Sequence, residues 1–164
     1  MTTTTQQIID NLNQVFKKFD DEVLESSKKW AQERVAAIRE FKMSDEAKHL
    51  RRDQYAYYAK LFALAGGKSW YNVFVGRSKS MIEEFMEKNH QNTIDKRNAS
   101  IAKKLEKAGV TEVLSEEYVY TKDGFNGIFR VNTDAGVKRV SIDTIYAGGY
   151  NIQCLHLRVL VKVK

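Results

Sequence analysis

The absence of strong helix breakers is the feature that most constrains how this chain folds. None of the 164 residues is proline, and the first glycine is Gly66. Average usage of about 5% would supply roughly eight prolines in a chain of this length. Because proline and glycine interrupt helices most readily, the sequence predicts long uninterrupted elements.

The spacing of apolar residues predicts one long amphipathic helix from Thr5 to about Phe41, which Thr4 or Thr5 can cap. At about 1.5 Å per residue this helix reaches roughly 54 Å, longer than a compact domain of this size is wide. We therefore expect it either to project or to pack against a partner. The apolar positions are Ile8, Ile9, Leu12, Val15, Phe16, Phe19, Val23, Trp30, Val35, Ile38 and Phe41.

Two further long helices are predicted before the chain changes character. Ser44 and the two acidic residues after it are typical of a helix start, and this second helix runs to Ala65, where a glycine pair stops it. Residues 68–77 fit a buried helix or a short strand, and we favour the helix. A capping box of Ser80 and Glu83 predicts a third helix, whose polar segment 87–100 is either exposed on most sides or locally broken.

After Gly109 the hydrophobic period changes from about 3.6 to 2, which predicts strands. Short connections that contain glycine favour a four-stranded antiparallel meander with one apolar and one polar, basic face. The predicted strands are Glu116 to Thr121, Phe125 to Thr133, Val137 to Ala147 and Asn151 to Val163. The predicted fold is therefore α+β and forms one domain overall, with a helical part (1–109) and a sheet packed on the helices (110–164).

The composition favours an intracellular protein with acidic partners. The chain has 27 Lys and Arg against 21 Asp and Glu, a net charge of +6, which favours acidic partners without selecting one. The single Cys154 cannot form an intramolecular disulfide, which favours a reducing compartment. With neither a signal peptide nor a long apolar run, we expect a soluble, cytoplasmic protein that does not contact membranes, in the host cytoplasm if it is viral.

The motifs that would carry chemistry fail on inspection. Residues 65–69, AGGKS, match the tail of a phosphate-binding loop, but Phe62 occupies the first glycine position and the preceding segment is predicted to be helical. His49, His90 and His156 lack a second histidine or cysteine at the spacing of metal ligands. We therefore predict no catalytic residue, no metal and no cofactor, and thus a protein that is not an enzyme.

The polar sheet face is the first candidate binding site. It carries Arg130, Arg139, His156 and Arg158, with Tyr150 near its edge. An open sheet with cations and aromatic rings binds phosphates and stacks bases, as single-strand binders do. The alternatives are that helices cover this face or that these residues only keep it soluble.

A basic and aromatic stretch in the second helix is the other candidate. Helical spacing predicts that Tyr55 and Tyr58 lie in the core while Arg51, Arg52 and Tyr57 point outward. Arginine and tyrosine are enriched at interface hot spots, so this patch suits a protein partner as readily as RNA or DNA.

Residues 146–161, YAGGYNIQCLHLRVLV, resemble the closing segment of small accessory proteins of tailed bacteriophages. The resemblance implies a viral origin and a role inside an infected bacterium, but it carries no activity. Within this segment it draws attention to Tyr150, Gln153, His156 and Arg158.

Three functional hypotheses follow. The leading one is a non-enzymatic phage accessory protein that engages a host or phage macromolecular complex, for example as an inhibitor of bacterial defence. The second is a nucleic-acid-binding protein that uses the sheet face and the helical patch. The third is a virion or assembly protein that forms homo-oligomers through the N-terminal helix, whose apolar seam resembles that of a coiled coil.

Overall fold

The computed structural model describes residues 4–121, 124–148 and 155–164, and it describes their side chains except those of 145–148 and 155–157. Helices precede strands along the chain, so the predicted α+β fold is confirmed. The elements are α1 (Thr4–Met43), α2 (Asp45–Leu50), α3 (Gln54–Leu64), α4 (Lys68–Phe74), α5 (Lys79–Lys107), β1 (Val110–Thr121), β2 (Gly124–Thr133), β3 (Gly136–Gly148) and β4 (Leu155–Val163).

The four strands form one antiparallel sheet in the order β1-β2-β3-β4, which confirms the predicted meander. β1 begins at Val110, six residues before the predicted start at Glu116. The pairing of β1 with β2 shifts register between Val110 and Glu112 and again between Val113 and Ser115. A register shift breaks the alternation of side chains between the two faces, which explains why the sequence pattern did not reveal this part of the strand.

The chain divides into two compact units, and both boundaries fall inside long helices. The first unit comprises the residues up to Val23 together with Gln91–Lys164, and the second comprises Leu24–His90. The predicted division at Gly109 separates helices from strands, whereas the compact units divide within α1 and α5.

The first unit buries one face of the sheet against α1 and α5, as predicted for an apolar face packed on helices. Val140 and Ile142 of β3 are fully buried. The fully or nearly fully buried residues of this core are Ile8, Ile9, Leu12, Phe16, Ile101, Leu105, Phe125, Phe129, Val131, Val140 and Ile142.

The second unit has its own core, which is rich in aromatic side chains. The ring of Trp30 lies 5.2 Å from that of Trp70 and 5.4 Å from that of Phe74. Trp70 and Phe74 belong to α4, so the helix that was favoured over a strand for segment 68–77 is confirmed for residues 68–74. The buried residues are Ala31, Ile38, Phe41, Ala47, Leu61, Ala65, Phe74, Ile82 and Met86.

Two details of the predicted helices are wrong. The single helix predicted from Ser44 to Ala65 is interrupted by a turn at residues 51–53, after which the side chain of Asp53 accepts a hydrogen bond from the backbone N–H of Ala56. The start of α5 is capped by Ser78 rather than by Ser80. The cap at Ser44 is confirmed, and the polar segment 87–100 remains helical throughout.

The apolar stripe of α1 packs within the chain. Ile8, Leu12 and Phe16 belong to the core of the first unit, and Ile38 and Phe41 belong to the core of the second. These apolar residues of α1 are therefore covered by other residues of the same chain.

Candidate functional site

The sheet has an outer face, which we define as the face opposite the one that packs on α1 and α5. On β2, Phe129 and Val131 are buried and Arg130 between them is exposed, because successive side chains point to opposite faces. The described side chains that share the outer face are Glu112, Ser115, Glu117, Val119, Asn126, Ile128, Arg130, Asn132, Val137, Arg139, Ser141, Asp143, Arg158, Leu160, Lys162 and Lys164.

A row of cations, which we call the basic row, crosses this face. Arg130 lies directly opposite Arg139, which in turn exchanges two backbone hydrogen bonds of 2.9 Å with Lys164. Arg158 and Lys162, both exposed, extend the row along β4. None of these five side chains forms an ion pair with a carboxylate of the described residues. Like charges directly opposite each other destabilise a sheet, so an anionic partner would relieve this repulsion.

Three of the predicted sheet-face residues, Arg130, Arg139 and Arg158, therefore share one exposed face. Tyr150 lies outside the described residues. The backbone of His156 pairs with Ala147, but its side chain also lies outside the described part of the chain. α1 and α5 pack on the opposite side of the sheet, which excludes the alternative that they cover this face.

A shallow hollow of about 490 Å³ opens on the outer face. It combines cations with apolar groups, among them Val137, which is 52% exposed. Its lining residues are Ser115, Glu117, Ile128, Arg130, Val137, Lys138, Arg139 and Lys164. No described side chain of the outer face is aromatic, so the described face lacks the stacking platform on which single-strand binders hold bases.

The helical patch lies in the second unit, and its predicted orientation is wrong. Tyr57 is half-buried, with its ring 5.6 Å from the ring of Phe41, whereas Tyr55 is 86% exposed and Tyr58 is 47% exposed. The prediction treated residues 44–65 as one continuous helix. The structure has a turn at residues 51–53, so the residues of α3 point in other directions than a continuous helix would give them. Tyr57 therefore faces the core in place of Tyr55 and Tyr58.

The two arginines of this patch are exposed, as predicted, but they lie in the turn rather than on a helix. Arg51 donates a hydrogen bond of 3.4 Å to the carbonyl oxygen of Lys42, and Arg52 follows it in the same turn. Tyr55 lies one turn further along, at the start of α3. The patch belongs to a different compact unit from the outer face.

The predicted binding residues left out Lys162 and Lys164, although their alternation with valines, a period of 2, places them on the same polar face as Arg158. Ile128 and Val137 also lie on this face, two residues from Arg130 and Arg139, although their apolar side chains taken alone suggest the core. Their pairing with Ser141 and Asn132 confirms where they point.

A second concavity, of about 450 Å³, lies where α1 meets β1. Glu116 accepts hydrogen bonds from Asn11 Nδ2 at 3.2 Å and from the Tyr118 hydroxyl at 3.4 Å. Burial, followed by the charge of Glu116 and this hydrogen bond, raises the pKa of Tyr118 to about 12. The phenol therefore stays protonated at neutral pH and acts as a donor to a carboxylate that lies beside it.

The remaining motifs carry no site in the described residues. Segment 65–69 follows α3, a helix, where a phosphate-binding loop follows a strand. No cluster of three histidine, cysteine or acidic side chains in the described part of the chain could hold a metal ion. Among the same residues, none of the helices combines the length and apolar character needed to cross a bilayer.

Comparison of the chain with models of protein families, with curated proteins and with solved structures found no match. The assignment of a function therefore rests on the surfaces themselves.

Proposed function

We propose that the protein is a non-enzymatic binding protein whose outer face engages an acidic surface of another protein. The observation that carries this proposal is the basic row, whose exposed cations form no ion pair with a described residue and lie beside the apolar side chains of Ile128, Val137 and Leu160. Protein interfaces combine a partly apolar centre with enriched arginine and with charged groups near the rim. The outer face has this combination.

The composition of the face favours a protein over a nucleic acid as the partner. Phosphate contacts require only cations, but a sequence-tolerant single-strand site adds aromatic rings. The described outer face offers the aliphatic side chains of Val119, Ile128, Val137 and Leu160 instead. The hypothesis of homo-oligomers that form through α1 is less favoured, because the apolar stripe of this helix is buried within the two units.

The resemblance of segment 146–161 to accessory proteins of tailed bacteriophages suggests the setting. In that setting the partner belongs to a host or phage complex, for example one that serves bacterial defence. Residues 149–154 of this segment lie outside the described residues, so the proposal on the partner's origin depends on the resemblance alone.

The test is affinity capture with charge-reversed variants. Tagged protein is incubated with lysates of infected and uninfected bacteria, each with and without nuclease treatment. We expect a defined protein partner that is captured equally with and without nuclease and is lost with the double variant Arg130→Glu/Arg139→Glu. The matched control is Lys18→Glu/Lys96→Glu, which makes the same change in net charge at exposed helix positions of the first unit.

Three outcomes would contradict this proposal. Capture that disappears after nuclease treatment, together with a gel shift of single-stranded RNA or DNA at low salt, would favour the nucleic-acid alternative. Equal loss in both charge-reversed variants would indicate a nonspecific effect of net charge. Steady turnover of nucleotide or nucleic acid by the pure protein, abolished by His156→Ala, would show that the protein is an enzyme.

A further inference from the structure

β4 forms one edge of the sheet, and its outer backbone groups have no partner in the described residues. Its neighbour is β3, and Lys164 exchanges hydrogen bonds with Arg139 just beyond the end of β4. Residues in an antiparallel pair alternate between those that bond across the ladder and those that point away. The N–H and C=O groups of Val159, Val161 and Val163 therefore point away from β3, toward the free edge.

The two faces of this edge strand carry different kinds of side chain. On the outer face Arg158, Lys162 and Lys164 are exposed and carry no ion pair with a described residue. On the inner face Val159 and Val161 pack against the core of the first unit. A strand added beside β4 would thus meet three cations and Leu160 on one face and valines on the other.

We propose that β4 accepts an extended acidic segment of the partner protein as a fifth strand. This inference rests on the proposed function and specifies how the partner binds. Strand addition uses the free backbone groups of an edge for affinity and alternate side chains for specificity. The segment that fits has Asp or Glu at every second position, opposite Arg158, Lys162 and Lys164, and apolar residues between them.

Charge complementarity favours this occupant over a second copy of β4. Two β4 edges side by side would place cations opposite cations, which destabilises a sheet. Lysines on an edge strand commonly prevent such self-pairing. The same cations attract an acidic strand. The charge of this edge therefore disfavours pairing with a second β4 and favours pairing with an acidic segment.

The experiment measures fluorescence anisotropy of a labelled peptide with the complete chain. The probe has nine residues, the length of β4, with Glu and Val in alternation. Controls are a peptide of the same composition with all Glu before all Val, a peptide with Lys in place of Glu, and a probe N-methylated on the amides that face the edge. We expect saturable binding of the probe alone and a weakening of about tenfold or more for each control, because each removes either the hydrogen bonds or the charge pairing.

A variant of the protein, rather than of the peptide, tests the same edge. Val161→Pro removes an N–H that points away from β3 while leaving the ladder bonds of β3 and β4 in place, a position where sheets tolerate proline. We expect this variant to lose peptide binding and to keep the far-UV circular dichroism spectrum of the wild type. If it fails to fold, the N-methylated probe gives the same information with the unaltered chain.

Equal binding of the alternating and the block peptides, or of the N-methylated and the unmodified probe, would overturn strand addition. So would sedimentation that shows the chain alone assembling through this edge. If strand addition fails in this way while Arg130→Glu/Arg139→Glu still abolishes capture of the partner, the proposed function stands without it. If the probe binds as expected but capture is indifferent to charge reversal, the proposed function fails instead.

Discussion

Arg97 is a buried charge that several groups hold in place within the first unit. Its two terminal nitrogens donate hydrogen bonds of 2.8 Å to the two carboxylate oxygens of Asp20, and the side chains are only 8% and 12% exposed. One of these nitrogens also donates to Asn13, and the guanidinium lies 4.4 Å from the ring centre of Phe16. A buried pair of this kind stabilises the fold only while both partners are present.

Removing one partner of this pair should be strongly destabilising. We expect Asp20→Ala to lower the free energy of unfolding by about 3–5 kcal/mol, because it leaves the Arg97 charge buried without compensation. Urea denaturation measures the change. The control is Asp21→Ala, which breaks an exposed pair with Lys17 and should cost less than about 1 kcal/mol.

The double variant Asp20→Ala/Arg97→Met distinguishes this account from a simple loss of packing. Methionine fills irregular apolar space, so the double variant should be more stable than Asp20→Ala alone. A double variant that is no more stable than Asp20→Ala would contradict the role assigned to the buried charge.

The raised pKa of Tyr118 predicts a specific dependence of stability on alkaline pH. Below pH of about 10 the phenol is protonated in the folded and in the unfolded chain. Between there and the folded pKa of about 12, only the unfolded chain loses the proton, so stability falls as pH rises. We expect Tyr118→Phe to show a shallower fall of Tm over this range than the wild type. Parallel Tm curves for the two proteins would contradict this prediction.

At the scale of elements, the ends of the helices decide which residues reach the surface. Asp53 caps α3 and sets a new helical phase, which turns Tyr57 inward and leaves Tyr55 exposed. α3 ends at Leu64, and two residues later Gly66 has a φ of +83° and a closeness to Trp30 that both require glycine. A methyl group there would lie 2.7 Å from Cζ2 of the tryptophan.

Comparison of Gly66 with Gly76, which has a similar φ, separates the effect of backbone strain from that of the close contact with Trp30. Gly76 has a φ of +77°, but a methyl group on it would meet no atom within 4 Å. We expect Gly76→Ala to cost about 1–2 kcal/mol of stability from backbone strain alone. Gly66→Ala should cost about 1–3 kcal/mol more, because the methyl group also displaces Trp30. Thermal unfolding of the two variants tests this, and equal losses would show that the contact with Trp30 is unimportant.

The elements were predictable from sequence wherever a local signal exists, and the site was predictable in part. Alternation in β4 assigns Arg158 to one face, and the cap at Ser44 marks the start of α2. The turn after Leu50 has no glycine or proline, so the helical pattern continued across it and gave Tyr57 the wrong orientation. The apolar character of Ile128 suggests the core, whereas the alternation that it shares with Arg130 and its pairing with Ser141 both place it on the outer face.

At the scale of the whole molecule, α1 and α5 each contribute residues to both compact units. Leu12 and Ile38 of α1 belong to different cores, and so do Ile82 and Leu105 of α5. Helix formation is cooperative along a continuous segment. Unfolding of one core therefore removes the packing that stabilises part of each of these helices, and we expect the two units to unfold together.

The two tryptophans make this coupling measurable, since Trp30 and Trp70 both lie in the second unit. Leu105→Ala creates a cavity in the core of the first unit and should cost about 2–5 kcal/mol. If the units unfold together, it lowers the urea midpoint of tryptophan fluorescence as much as that of far-UV circular dichroism. The matched variant Leu61→Ala, in the core of the second unit, should also shift both signals equally. A fluorescence midpoint that Leu105→Ala leaves unchanged would show that the units unfold independently, despite the two helices that they share.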